Sequence, residues 1–220
     1  MKPLIALNLK TYSESLGKRG MQLAQIASEV SLLTGVRIII APQAVDLRAI
    51  TEIHSDVFAQ HVDAQKQGAH TGHLSAEAIA DAGCRGSIVN HSEHRLSEIV
   101  IGETIAGLKG ANLESMLCAK DEGESAHLAK FEPTFIAVEP PELIGSGVSV
   151  STAKPEIVSG AVEAVANVNA TPVLCGAGVS NANDVKKALG LGASGVLLAS
   201  AFVKSPDPQK LLMEMAEAMQ

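Results

Sequence analysis

Residues 172–200 read PVLCGAGVSNANDVKKALGLGASGVLLAS. This segment begins with the apolar run Pro172–Cys175, passes through a helical pattern over Ala182–Leu189, and ends in a second apolar run, Gly195–Ala199. Both apolar runs are continuous rather than alternating, which is typical of strands covered on both faces. A strand, a helix and a second strand in this order predict two parallel strands joined by a right-handed crossover.

The same unit recurs along the whole chain. Apolar runs predict eight strands, at Leu4–Leu7, Val36–Ala41, Val57–His61, Gly86–Asn90, Glu114–Cys118, Thr134–Val138, Pro172–Cys175 and Gly195–Ala199. Helical spacing predicts eight helices, at Met21–Leu33, Ala44–Ile53, Ser75–Ala82, Ile99–Leu108, Glu124–Lys130, Glu156–Val168, Ala182–Leu189 and Gln209–Met219. Eight such units predict one α/β domain over residues 1–220, a (β/α)₈ or TIM barrel of eight parallel strands. An open doubly wound sheet is the alternative architecture.

Composition narrows the class of protein. Of the 220 residues, 46% are hydrophobic but only 2% aromatic, so the core is expected to be aliphatic. The net charge is −7 and no basic stripe is present, which argues against nucleic acid as a partner. No apolar stretch approaches the roughly 20 residues that span a bilayer, and we expect no membrane association. No signal peptide is evident, and the three cysteines lie far apart. We therefore expect a cytoplasmic protein.

Polar residues follow three of the predicted strands. Asn8 and Lys10 end the first strand, His91 follows the fourth, and Glu139 follows the sixth. Functional residues of a barrel lie at the C-terminal ends of its strands, so these side chains are expected to converge on one rim. Each alone has an ordinary alternative: a solvated carboxylate, a hydrogen-bonded histidine or a surface lysine. Together they predict a catalytic site.

Small residues follow the last two strands. Residues 176–180 read GAGVS and open a helix, while Ala199 and Ser200 end the eighth strand. Backbone N–H groups in such loops bind anions, and this is the usual phosphate site of the fold. A lone Gly-x-Gly could simply form a tight turn. The segment EPPELIGSG at residues 139–147 resembles a lid with an apolar tip, which would exclude water from a bound ligand.

These motifs resemble the triosephosphate isomerase family over the whole chain, and the short length resembles its archaeal members. The motifs are Asn8-x-Lys10, His-Ser-Glu at 91–93 with Arg95, Glu139-Pro140, Ile-Gly-Ser-Gly at 144–147, and Thr71-Gly72. Their order along the chain is that of the family. Asn90 precedes the histidine where most members have glycine.

The resemblance implies a metal-free isomerase, without a cofactor, that acts on a small phosphorylated triose. Glu139 would be the base and His91 would polarise the carbonyl group. A glutamate base beside a neutral histidine is the established arrangement of this family, so these two roles follow from the resemblance itself. Lys10 and Asn8 would bind the substrate and stabilise developing charge. Groups near the phosphate would be Ile144, Gly145, Gly178, Ala199 and Ser200.

The resemblance also implies contacts around the site. We expect Glu93 and Arg95 to form an ion pair outside the pocket. Thr71 resembles the residue in the long loop after the third strand by which one subunit buttresses the site of its neighbour. A homodimer or a homotetramer is therefore expected.

Other functions stay open from the sequence. Another phosphate-binding barrel enzyme, such as a pentose phosphate epimerase or an indole-pathway synthase, would share the small residues after the last two strands. A non-catalytic barrel that binds a partner is an alternative of a different class. A metal site would need several ligands on different strand ends, and His61 and His91 lack a carboxylate partner besides Glu139.

Overall fold

A computed structural model describes residues 2–144 and 147–220 of the chain. It contains eight strands, β1 to β8, at Leu4–Asn8, Arg37–Ala41, Phe58–Ala59, Gly86–Val89, Glu114–Ala119, Phe135–Val138, Val173–Cys175 and Gly195–Leu198. Ten α-helices, α1 to α10, lie at Lys18–Thr34, Leu47–Thr51, Ala76–Asp81, Glu98–Gly110, Glu122–Ala129, Val150–Ala153, Pro155–Ala166, Ala182–Gly190, Ser200–Val203 and Pro208–Glu217. None of the helices in these ranges is long and apolar enough to cross a membrane.

The strands form one parallel sheet in the order β2-β1-β8-β7-β6-β5-β4-β3. A single parallel bridge between Ile40 and Val57 joins the two ends of this order. The sheet therefore curls into a nearly closed barrel, as the sequence predicted. Closure removes the exposed strand edges that an open sheet would have.

The predicted strands are confirmed, although β3 contains only Phe58 and Ala59. The chain leaves the sheet at Gln60, whose side-chain Nε2 donates to the carbonyl oxygens of Lys10 and Ala41, each at 3.0 Å. The side chain thus takes the place of further main-chain pairing. Two short helices, α6 and α9, were not predicted, because four residues are too few to show a helical period.

The core has two layers. Side chains alternate between the inside of the barrel and the space under the helices, so Leu4 and Ala6 point inward while Ile5 and Leu7 point outward. The inner layer is mostly aliphatic and contains two aromatic side chains. Its members are Leu4, Ala6, Ile39, Ala41, Phe58, Ile88, Met116, Cys118, Phe135, Ala137, Leu174 and Leu197.

An ion cluster lies at the N-terminal end of the barrel. The Arg37 guanidinium lies 5.5 Å from the centroid of the Phe135 ring. It donates to both carboxylate oxygens of Asp56, at 2.6 and 3.0 Å, and to Glu114 Oε1 at 3.3 Å. About a third or less of each charged side chain is exposed. The cluster therefore joins three strand starts in a region that water only partly screens.

Replacing Arg37 is expected to destabilise the fold. Arg37→Ala leaves two half-buried carboxylates without their partner and should lower the free energy of unfolding by about 1–3 kcal/mol. Urea unfolding followed by circular dichroism measures this loss. Arg48→Ala is the matched control, because its pair with Asp81 is mostly exposed and should contribute under about 1 kcal/mol. Equal losses in the two variants would contradict the assignment.

Candidate active site

A cavity of about 210 Å³ opens at the C-terminal ends of the strands. Residues from the ends of β1, β4, β6, β7 and β8 surround it. Its lining comprises Asn8, Lys10, Tyr12, His91, Glu139, Ile144, Gly147, Ala177, Gly178, Val179, Ser180, Leu197, Leu198, Ala199, Ser200 and Ala201. The four polar side chains that the sequence singled out are thus brought together on one pocket.

The end of β1 places Lys10 in the pocket through an unusual backbone conformation. Lys10 has φ 47°, in the left-handed region that non-glycine residues rarely adopt. Asn8 Oδ1 accepts the Lys10 N–H at 3.0 Å, and Gln60 binds the Lys10 carbonyl from the other side. The Lys10 Nζ donates to Glu93 Oε1 at 2.7 Å. These contacts impose the strain and fix the ammonium group at the rim.

The turn after β4 orients the His91 ring. The Glu93 N–H donates to His91 Nδ1 at 3.2 Å, so Nδ1 carries no proton and a neutral ring carries it on Nε2. A hydrogen-bonded turn follows His91, in which the His94 N–H donates to the His91 carbonyl oxygen at 2.8 Å. Helix α4 begins only at Glu98. The imidazole therefore presents an N–H donor to the pocket.

The structure accounts for Asn90, which stands before His91 where most family members have glycine. Its φ is 61°, in the region that favours glycine and that asparagine tolerates better than other residues. The Asn90 side chain donates to the Cys118 carbonyl at 3.0 Å and accepts the Leu96 N–H at 2.9 Å. An asparagine here therefore supplies two hydrogen bonds that glycine would not.

The Glu139 carboxylate at the end of β6 lies almost entirely out of water, at 7% exposure. Burial raises its pKa above the ordinary glutamate value, while His91, the Cys118 thiol and Lys10 oppose that shift. Its Oε2 lies 3.5 Å from His91 Nε2 and has no hydrogen-bond partner among the described residues. A desolvated carboxylate with a free lone pair is a strong base.

The glycines after β7 allow atoms of neighbouring residues to lie close to the backbone. A Cβ at Gly176 would lie 2.3 Å from Glu139 Cγ, so a larger residue would displace the carboxylate. Gly178 has φ 70°, and a Cβ there would lie 1.9 Å from the Val148 carbonyl oxygen. Gly178 is therefore needed for packing of this turn as well as for exposing its backbone to a ligand.

Of the site residues predicted from the sequence, Glu93, Arg95 and Thr71 are not part of the pocket lining. The predicted ion pair between Glu93 and Arg95 is wrong: Glu93 binds Lys10, and Arg95 binds Glu124 of α5. The turn after His91 directs the two side chains to opposite sides, which their spacing alone did not reveal. Thr71 is exposed in the segment between β3 and α3. Gly145 lies outside the described residues.

His61 does not reach the pocket either. Its ring stacks on that of His94 at a centroid distance of 4.0 Å, and its Nε2 lies 3.3 Å from Asp63 Oδ1. Within residues 2–144 and 147–220, no three His, Cys, Asp or Glu side chains are placed to hold a metal ion.

Two further residues that shape the site were not predicted. Tyr12 lines the pocket, and the Lys204 Nζ lies 4.3 Å from its ring centroid. Cys118, a buried residue of the inner layer of the core, contacts the Glu139 carboxylate through its thiol. The sequence gives a weak indication of Tyr12 as a site residue, because it follows Lys10 by two residues. Nothing in the sequence indicates the contact between Cys118 and Glu139, which are 21 residues apart.

Comparisons with known proteins agree with this geometry. A family model described as triosephosphate isomerase matches residues 3–219. The chain is 49% identical to triosephosphate isomerase of Methanocaldococcus jannaschii, over 96% of this chain and 98% of that protein. It is 47% identical to the protein of the same name from Methanothermus fervidus, over 99% of both chains.

A solved structure gives the same fold. The crystal structure of triosephosphate isomerase from Bartonella henselae superposes with a TM-score of 0.77 over 99% of both chains, at 16% identity. That identity supports the barrel alone, whereas the two archaeal relatives and the family model extend to the sequence. On these matches, the chain belongs to the triosephosphate isomerase family.

Proposed function

We propose that this chain interconverts dihydroxyacetone phosphate and D-glyceraldehyde 3-phosphate, a step of glycolysis and gluconeogenesis. The observation that supports it most directly is the buried Glu139 carboxylate, 3.5 Å from His91 Nε2 in a pocket that Lys10 also lines. The reaction moves one proton between two neighbouring carbons. It needs a base, a donor for the carbonyl oxygen and a binding site for phosphate.

Glu139 is the proposed base. It removes the proton from the carbon beside the carbonyl group, which leaves an enediolate. A proton then moves from the hydroxyl oxygen to the former carbonyl oxygen, and Glu139 returns its proton to the former carbonyl carbon. Burial makes the carboxylate more basic, and its unpartnered Oε2 is available for the proton. The carboxylate ends the cycle in its starting state, so no other reactant is consumed.

His91 and Lys10 stabilise the charge that forms on the substrate oxygens. The Nε2–H of neutral His91 donates to the oxygen atoms, because Nδ1 is occupied by the Glu93 N–H. The Lys10 ammonium supplies positive charge at the same rim, and Asn8 fixes the backbone from which that side chain extends. Preorganised donors of this kind favour the transition state over the ground state.

The phosphate group is expected at the opposite side of the pocket. Residues 177–180 and the first turn of α9, beginning at Ser200, line that side with backbone and small side chains. Ala177 and Gly178 both have positive φ, a conformation that directs consecutive N–H groups to one concavity. Ile144 and Gly147 line the pocket from the segment after Glu139, where they limit access of water to the enediolate.

Removing the proposed base should abolish most turnover. Glu139→Gln keeps the shape of the side chain but cannot accept the proton, and should lower kcat roughly 100- to 10,000-fold. Conversion of glyceraldehyde 3-phosphate in the presence of EDTA measures this effect, and the chelator should not slow the wild type. Glu132→Gln is the matched control, because Glu132 is exposed and pairs with Lys109 at the surface, away from the pocket.

Two outcomes of that assay would contradict the proposal. Near-normal turnover of Glu139→Gln would exclude Glu139 as the base. A wild-type protein without turnover would favour another phosphate-binding barrel enzyme or a non-catalytic barrel, and other phosphorylated sugars and added metal ions would then be the next substrates and cofactors tested.

The raised pKa of Glu139 predicts the acidic limb of the pH profile. Only the ionised carboxylate accepts a proton, so kcat/KM should fall as the pH drops through a pKa above the ordinary value of 4.5. Binding of glycerol 3-phosphate over the same pH range reports ionisation of the phosphate itself. A limb that occurs in both profiles, or one at or below pH 4.5, would not belong to a desolvated base.

The chain is also proposed to act as a homo-oligomer, either a dimer or a tetramer. Thr71 is exposed, and a groove of about 420 Å³ beside its loop includes Thr11 and Gln43 in its lining. Val45, two residues after Gln43, is 81% exposed. An exposed loop, a groove and an apolar side chain on one side of the molecule are the features of a self-association surface.

A charge introduced on this surface by substitution should separate the subunits. Thr71→Arg should lower the molar mass measured by light scattering at micromolar concentration, because an unpaired charge is unfavourable in a desolvated interface. Val168→Arg on a different surface is the control, since Val168 is 42% exposed and follows α7. A monomeric wild type, or an unchanged mass for Thr71→Arg, would contradict the proposal.

Two further inferences concern the domain organisation and the cellular location of the protein. We infer that residues 1–220 form one domain, which is supported by the presence of all eight strands in one sheet. A cytoplasmic location is supported by the place of the reaction in central sugar metabolism and by three free cysteines that are all buried.

A further inference from the structure

A cluster of buried polar residues lies behind the turn at residues 177–180, outside the lining of the pocket. Ser149, Ser151 and Asp184 are exposed by only 5%, 3% and 6%. Ser149 Oγ and Ser151 Oγ lie 2.9 Å apart, and Ser151 Oγ donates to the main-chain oxygen of Asp184 at 3.2 Å. Burial of a carboxylate is costly unless its oxygens are hydrogen-bonded, so the contacts of Asp184 decide what the cluster does.

One oxygen of Asp184 binds the turn that lines the pocket. Its Oδ2 accepts from the Ser180 N–H at 3.0 Å, from the Ser180 hydroxyl at 3.1 Å and from Asn181 Nδ2 at 3.0 Å. Ser180 itself lines the pocket. The carboxylate therefore fixes both the backbone and the side chain of a pocket residue without touching the pocket.

The other oxygen binds α6, on the far side of the cluster. Asp184 Oδ1 accepts from the Thr152 hydroxyl at 3.3 Å, and the Lys187 Nζ donates to the same Thr152 oxygen at 3.0 Å. Thr152 belongs to the short helix that follows Val148 and Ser149. Asp184 thus joins two segments that are separated in sequence by about 28 residues.

These two segments meet again at the edge of the pocket. The Val150 N–H donates to the Ala177 carbonyl at 3.2 Å. Gly178 packs so closely on Val148 and Ser149 that a Cβ would overlap their backbone atoms. Ala177 and Gly178 are the residues whose positive φ values shape the proposed phosphate site. Their position therefore depends on α6, and α6 depends on Asp184.

We propose that Asp184 is a positioning residue for the phosphate group of the substrate, acting through the turn at residues 177–180 and through α6. This inference rests on the proposed function, because it assigns the phosphate to that turn. Asp184 does not contact the ligand. It fixes the two backbone segments whose relative position determines the geometry of the N–H groups.

A simpler role accounts for three of the four hydrogen bonds of the carboxylate. Asn181 begins α8 as its N-cap, and an acidic residue three positions later commonly binds back to the start of a helix. Such a role explains the bonds of Asp184 to Ser180 and Asn181. It does not explain the bond of the carboxylate to Thr152, which lies in a different helix. The two roles differ in what they predict for binding of phosphate.

The experiment measures binding and turnover in the same set of variants. Calorimetric titration with inorganic phosphate and with glycerol 3-phosphate gives Kd, and the isomerase assay gives kcat and KM. The variants are Asp184→Ala, Asp184→Asn and Thr152→Val, with Asp207→Ala as the control. Asp207 begins α10 and accepts the Lys210 N–H at 3.0 Å, so its loss removes a helix cap without altering the pocket.

Asp184→Ala should raise the Kd of both ligands and the KM by about 10-fold or more, the effect of losing a charge-assisted hydrogen bond. Its kcat should change less. Asp184→Asn can accept from Ser180 and donate to Thr152, so it should restore binding to within about threefold of wild type. Thr152→Val keeps the bonds to Ser180 but removes the bond between the carboxylate and α6, and should give an intermediate loss. Asp207→Ala should bind like the wild type.

A folded Asp184→Ala variant with wild-type Kd values would overturn the inference and leave only the helix cap. If that variant does not fold, unchanged binding by Thr152→Val would overturn it instead. A wild type that binds the phosphate ligands but does not isomerise would contradict the proposed function alone, because the Kd values still test Asp184. A wild type that binds neither ligand would overturn both.

Discussion

The Glu139 carboxylate lies almost completely out of water, and much of the surrounding structure follows from that burial. A buried carboxylate is costly, and here the cost is reduced by the nearby His91 ring, the Cys118 thiol and the Lys10 ammonium. Gly176 has no side chain because Glu139 Cγ occupies the space that a Cβ would need. The same burial makes the carboxylate basic. Stability of the ionised form and basicity are therefore opposed at this residue.

The charged groups at the two ends of the barrel differ in how completely they are paired. At the N-terminal end, the Arg37 guanidinium pairs with both Asp56 and Glu114, which stabilises the starts of three strands. At the C-terminal end, Lys10 and His91 face an open cavity, and Oε2 of Glu139 has no hydrogen-bond partner among residues 2–144 and 147–220. Charges that are fully paired contribute to the fold, whereas groups left incompletely paired can bind and react.

Backbone strain is concentrated at the pocket. Of the five non-glycine residues with positive φ in the described ranges, Lys10 and Ala177 line the cavity and Asn90 precedes His91. Each follows a strand at the point where the chain must turn to begin the next connection. Asn8 accepts from the Lys10 N–H and Gln60 donates to the Lys10 carbonyl, while the Val150 N–H donates to the Ala177 carbonyl. The strained backbone directs side chains and N–H groups toward the pocket, whereas a relaxed turn would direct them elsewhere.

The sequence by itself determined the eight βα units and the strand ends that carry Asn8, Lys10, His91 and Glu139. Both follow from local properties, since apolar runs define strands and parallel strands present their C-terminal ends together. It did not determine β3, which ends early because the Gln60 side chain replaces main-chain pairing, or the helices α6 and α9, which are too short to show a period. Only the tertiary structure decided that Glu93 pairs with Lys10 rather than Arg95, and that Asp184 links α6 to the turn after β7. These contacts join residues up to 83 positions apart, and spacing along a chain carries no information about which distant side chains meet.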